Sequence, residues 1–216
     1  LAVDRTAIVE KILRGGQQPA HSFTPPGTAG YQPPALLTTD FSAARRLLAE
    51  AGYPGGAGLP AFDLLINSSG NHRVIGEAVQ EMWRRELGVT VNLVNMEQKS
   101  LLETRRTLGY QLMRSDWVGD YLDPNAFLEI FTSGSGNNHT GWSNADYDGL
   151  IYQAARTSER TARYALLQRA EILLLEDAPI IPVFHYTTVR LVHSAVKGWH
   201  PTLLDHHPYK SLWLEE

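Results

Sequence analysis

The chain has 216 residues, no cysteine and a formal net charge of −4, with 43% apolar and 19% charged residues. That composition suits a globular fold with a sizeable core. It excludes disulfides, thiolate metal sites and a cysteine nucleophile, lacks the basic excess of a nucleic-acid surface, and contains no apolar run near the ~20 residues a membrane helix needs.

The opening, LAVDRTAIVEKILRGG, starts at a helix and carries neither an initiating methionine nor a signal peptide, so a fragment or processed product is expected. Asp4 is placed to cap this helix, Ile8, Val9, Ile12 and Leu13 recur at helical spacing, and Gly15-Gly16 ends it. The stretch from Gln17 to Asp40 is rich in Pro and Gly and reads as loop. Asp40 caps a second helix, FSAARRLLAEAG, and YPGGAGLPA returns to loop; its GGAG lacks the lysine and strand–helix setting of a phosphate cradle.

From Phe62 the pattern alternates. FDLLINS is a strand; HRVIGEAVQEMWRRELG is a helix with Val74, Ile75, Ala78, Val79, Met82 and Trp83 on one face. VTVNLVNM is a strand, SLLETRRTLG a short helix and YQLMRSDW a third strand. This β-α-β-α-β order with short connections predicts parallel strands and right-handed crossovers. Beyond the polar loop TSGSGNNHTGWSN, two helices follow, ADYDGLIYQAART and RTARYALLQRAEILLLED, the second with Leu166, Leu167, Ala170, Leu173 and Leu174 as its stripe. APIIPVFHYTTVRLVHSAV predicts one or two strands, and YKSLWLEE a last one. The fold class expected is α/β, a lobe with a mainly parallel central sheet flanked by helices.

Few catalytic patterns are present: no G-x-S-x-G elbow, no phosphate loop and no H-E-x-x-H. Nothing in the sequence calls for a cofactor. His206-His207 beside Asp205 raises a metal reading but has no third close ligand, and His185 and His193 are read as satisfied structural groups. A carboxylate-dependent hydrolase using Asp116, Asp120 or Glu97 is the reading of another class; the nearby arginine favours ionised carboxylates and opposes the acid role.

The segment MRSDWVGDYLDPNAFL carries the most chemistry. Its first residues, Met113 to Trp117, sit at the carboxyl end of the third strand, just beyond which open parallel sheets bind ligands. Asp123-Pro124 suits a helix start, Asp123 as its cap. Asp120 suits an ammonium group, Arg114 a carboxylate, with Trp117 and Tyr121 as walls that exclude water.

Together with DRTAIVEKILRGGQQPAHSFTPPG, ARRLLAEAGYP and NNHTGWSNADYDGLI, the stretch RSDWVGDYLDPNAFL resembles the extracytoplasmic solute-binding proteins of peptide-importing ABC transporters, the oligopeptide- and dipeptide-binding family. The likeness runs in order over nearly the whole chain. It implies a receptor, not an enzyme, that closes two α/β lobes around a peptide and passes it to an ABC permease from the periplasm or a lipid-anchored position at the cell surface. Residues 1–195 match the C-terminal ligand-binding lobe and 196–216 the return toward an N-terminal lobe that is missing from the chain. In W-x-x-D the aspartate is implied to take the peptide's α-amino group, which here is Asp120, three after Trp117. Arg114 and Arg105 stand where some members meet peptide carboxylates; Arg106 departs from the histidine that some members carry. Members that bind nickel complexes or sugars leave the ligand class open.

Overall fold

The computed structural model describes residues 1–68, 70–202 and 204–215. Asp4 caps the first helix, accepting the Ala7 N–H at 2.9 Å. This helix, α1 (Arg5–Ala7), runs on as a wider π-helical turn, Ile8–Leu13, which ends at Arg14 in the left-handed conformation. A short strand β1 (Gln18–Pro19) precedes the long Pro/Gly-rich loop. Asp40 then caps α2 (Phe41–Glu50) by accepting the Ala43 N–H at 2.8 Å.

The central unit is β2 (Phe62–Asn67), α3 (His72–Leu87), β3 (Val91–Met96), α4 (Gln98–Arg106) and β4 (Leu112–Met113). The three strands form one parallel sheet in the order β3-β2-β4. The first crossover runs from the central strand to one edge and the second returns across β2 to the other edge; running in opposite directions, right-handed crossovers put α3 and α4 on opposite faces. Side chains agree: Gly76 of α3 lies over Ile66 and Leu93, whereas Asn67, on the other face, reaches Gln98 of α4. On α3, Ile75, Gly76 and Val79 are buried. Val74, expected on that face, is 47% exposed.

The GGAG stretch is backbone packing. Gly88 ends α3 with φ of 66°, and a Cβ there would meet the Gly55 carbonyl oxygen at 2.2 Å. Only glycine satisfies both demands.

Four short-range features follow: α5 (Asn125–Leu128), α6 (Ala145–Ala155), α7 (Arg160–Asp177) and β5 (Phe184–His185). Asn144 caps α6 through the Asp146 and Tyr147 N–H groups, at 3.0 and 3.1 Å. The helices α6 and α7 pack together and bury Leu150, Ile151, Leu167 and Leu174 against Tyr31, Leu128 and Phe131. A second cluster joins Val3 and Ile8 to Ile75 and Val79 of α3. Strand β5 pairs antiparallel with β1, and β6 (Val196–Lys197) pairs antiparallel with β7 (Trp213–Leu214).

Three expectations need correction. The third parallel strand stops at Met113, because the chain beyond it turns to bond elsewhere. The run 178–196 holds only β5 and the first residue of β6; the residues between them find no ladder partner among the described residues, and Val189 and Leu191 are 71% and 101% exposed. The α7 stripe also includes a carboxylate, Glu171, at 0% exposure. In the tail β7 is two residues long, and Glu216 lies outside the described residues. His207 is engaged locally: Nε2 lies 2.6 Å from Asp205 Oδ1 and its ring stacks on Trp199.

Candidate ligand-binding cleft

The carboxyl ends of β2, β3 and β4 open into a cleft of about 1830 Å³, which Asn67, Met96 and Met113 enter from the three strands. This is where an open parallel sheet leaves room for a ligand, between helices that diverge to opposite faces. The segment 114–124 forms one wall.

That wall is fixed at several points. The Arg114 N–H donates to the Leu65 carbonyl at 2.9 Å, carrying sheet pairing one residue past β4. The chain then leaves the sheet, and the Trp117 indole N–H donates to the Ala126 carbonyl at 2.7 Å while its ring packs on the α6–α7 core. The Tyr121 hydroxyl donates to Glu129 at 2.8 Å; burial, with Glu129 beside it, pushes its pKa up to about 12. Asp123 accepts the Asn125 N–H at 2.8 Å and forms a two-pronged pair with Arg163 at 2.8 and 2.7 Å. Burial works to raise the Asp123 pKa, but the Arg163 and Asn125 hydrogen bonds overcome it, so the group sits below the usual carboxylate range. The helix-cap reading of Asp123 therefore holds, with an ion pair added.

The residues singled out from the sequence divide as follows. Arg105, Arg114, Trp117 and Tyr121 all line the cleft. Asp120 does not, although its chain neighbours Gly119 and Tyr121 do. Asp120 is exposed and has no hydrogen bond or ion pair among the described residues. The other three carboxylates of 114–129 are engaged: Asp116 with Arg114, Asp123 with Arg163, and Glu129 with Tyr121 and Asn125. Of the remaining acids, Glu97 accepts the Lys99 and Ser100 N–H groups as the cap of α4. Asp116 and Glu97 are thus committed to structural partners.

Arg114 donates to Asp116 at 2.9 Å and to the Tyr186 hydroxyl. Arg105 has no carboxylate within 4.0 Å among the described residues; its Nη1 lies 3.4 Å from Ser115 Oγ, and its Nε is buried without a partner. Arg106 points away and pairs with Glu103 at 2.7 Å.

Sequence reasoning missed His72, His139 and Tyr186, which also line the cleft. Burial and then Arg114 lower the His72 pKa, against Asp116; burial and then Arg105 lower that of His139. His72 was within reach of the strand-end rule, since it opens the helix after β2. Tyr186 was not, being 72 residues from its partner Arg114. His185 lines the cleft too, and its Nε2 is buried with no partner among the described residues. The expectation that His185 is satisfied is therefore overturned: pairing in β1–β5 buries the ring without supplying an acceptor or donor.

A family model described as "Bacterial extracellular solute-binding proteins, family 5 Middle" matches residues 1–139. The chain belongs to this family. It is 38% identical over 211 residues to the dipeptide-binding protein DppE of Bacillus subtilis, which covers 92% of this chain and 38% of that protein. The structure of the Escherichia coli murein tripeptide binding protein MppA superimposes with a TM-score of 0.86 at 35% identity, over 99% of this chain and 43% of that one. Haemophilus influenzae OppA, solved in complex with the peptide RPPGFSPFR, gives 0.86 at 31% identity, over 99% and 43%. The chain thus spans about two fifths of the length of the relatives it matches.

Proposed function

We propose that this family-5 chain is the peptide-binding C-terminal lobe of the receptor of an ABC importer. It takes up peptide outside the cytoplasmic membrane, in the periplasm or anchored at the cell surface, and passes it to a permease without chemical change. Residues 1–195 form the binding lobe, and 196–216 return toward a second lobe.

The observation that carries this reading is Asp120. It is the single carboxylate of the segment 114–129 without an internal partner among the described residues, it is exposed, and its chain neighbours Gly119 and Tyr121 line the cleft at the sheet's carboxyl end. An ionised carboxylate left unpaired there suits an incoming ammonium group. Trp117 and Tyr121 flank it with large surfaces, while two arginines, Arg105 and Arg114, line the same cleft as candidates for a ligand carboxylate, a choice that depends on how each is already paired. A receptor for many peptides must read what all peptides share, and the two termini are the charged part of that. Similarity to proteins named for dipeptide, murein tripeptide and oligopeptide binding supports the same class.

Closure of two lobes shifts a population only through contacts that the open form lacks. Contacts from a second lobe would supply part of these, so residues 1–216 alone bind peptide weakly. The full-length protein, purified without denaturation and analysed by native mass spectrometry, is expected to release intact peptides. Release of a metal chelate or an oligosaccharide instead would replace peptide with another ligand class, and a hydrolysed product would overturn the receptor reading.

A further inference from the structure

Two arginines line the cleft, and their surroundings differ. The Arg114 fork is occupied at both ends, Nη1 by Asp116 at 2.9 Å and Nη2 by the Tyr186 hydroxyl. The Arg114 side chain is 17% exposed and that of Asp116 48% exposed, so what solvent meets at this pair is mostly the acid. Arg105 has no carboxylate within 4.0 Å, a buried Nε without a partner, and one long contact to Ser115, all among the described residues.

We propose that Asp116 is a specificity-determining residue: it neutralises Arg114 and thereby assigns the ligand's carboxylate to Arg105. This rests on the reading of the cleft as a peptide site. A carboxylate approaching Arg114 would meet a guanidinium already bonded at both ends, to Asp116 and to Tyr186, and an adjacent negative charge. Gaining that site means displacing a charge-assisted hydrogen bond that is already made. Arg105 makes one long contact, to Ser115 Oγ at 3.4 Å, and no ion pair among the described residues, so an anion there displaces no charge-assisted hydrogen bond. The half-exposed oxygen of Asp116 adds a repulsive element, so the place beside Arg114 favours a neutral or cationic part of the ligand. Neither His72, which bonds Asn67, nor Glu97, which caps α4, competes for Arg105.

The test uses the full-length protein and alanine peptides from dialanine to pentaalanine, each as free acid and as C-terminal amide, in calorimetry. In the unaltered protein, amidation should weaken binding about tenfold or more at one length, and Arg105→Gln should abolish that penalty. In Asp116→Asn, a second length should acquire a comparable amide penalty, which the double variant Asp116→Asn/Arg114→Gln removes and Asp116→Glu does not show. A merely structural role for Asp116 would shift all peptides alike and leave the acid-to-amide ratio untouched. If peptides bind but that ratio in Asp116→Asn equals the unaltered protein's at every length, or if Arg105→Gln keeps the penalty, this assignment fails while the receptor reading stands. If no alanine peptide binds at all, both fall.

Discussion

The Glu171 carboxylate, fully buried on α7, accepts the Tyr31 hydroxyl at 2.9 Å, joining the first Pro/Gly-rich loop to the core helix 140 residues later. Its other oxygen accepts the Phe23 and Thr24 N–H groups at 2.9 and 2.8 Å. Glu171→Ala strands three buried donors and should cost about 3–5 kcal/mol. Glu171→Gln keeps one acceptor oxygen and should cost less than half of that. Urea denaturation of both variants checks the order, and equal stabilities would refute it.

The same residue sets a pH trend. Burial raises the Glu171 pKa, and the hydrogen bonds from Thr24, Tyr31 and Phe23 pull against it without reversing it. The folded chain then holds its proton where the unfolded chain has released it. This contribution to stability is complete below the unfolded value and fades as pH rises through the folded one. Glu171→Gln should remove that decline; a variant with the parent's pH slope above the unfolded value would contradict it.

His185 works in the opposite sense. Burial, then His21, pushes its pKa down to about 4 from the ordinary 6.5. Between those values the unfolded chain takes up a proton that the folded chain refuses. Stability is therefore full above the unfolded value and falls as pH drops through this window, by up to about 3 kcal/mol. His185→Phe should flatten the slope there and, by deleting the unpaired Nε2, raise stability at pH 5. Thermal melts from pH 7 to 4 decide it, and an unchanged slope would count against the buried neutral imidazole.

Gly119 holds the wall beside Asp120. A Cβ there would lie 2.8 Å from Cζ of Phe127, whose ring is in turn held edge-on by Phe23 at 6.3 Å. Gly119→Ala should displace the rim and weaken peptide affinity about tenfold. Adding Phe127→Leu makes room and should recover most of the loss. Titration calorimetry on the single and double variants reads both effects; no recovery in the double would mean that the contact is not the cause.

The parts legible in the sequence are those decided locally. Period-2 and period-3.6 stretches mark the parallel unit and its helices, Asp4 and Asp40 mark the caps of the first two helices, and Asp123-Pro124 marks a capped turn. What failed depends on distant partners. The third strand ends four residues earlier than its sequence suggests, because nothing nearby shows that the Trp117 indole will reach Ala126. The apolar run from Val189 looks like a strand, yet no neighbour among the described residues pairs with it. Glu171 reads as a solvent-facing acid until residues 23, 24 and 31 surround it. At the cleft, the chemistry of residues 105–121 was visible, but the pairing that separates Arg114 from Arg105 was settled by Tyr186, far along the chain.

The most direct measurement is calorimetry of one peptide with a free amino terminus and the same peptide N-acetylated, against the full-length protein and its Asp120→Asn variant. A carboxylate that receives an ammonium predicts that acetylation costs the unaltered protein about a hundredfold in affinity, roughly 2–3 kcal/mol, and costs the variant almost nothing. An acetylation penalty of the same size in both proteins, or none in either, would contradict the role given to Asp120.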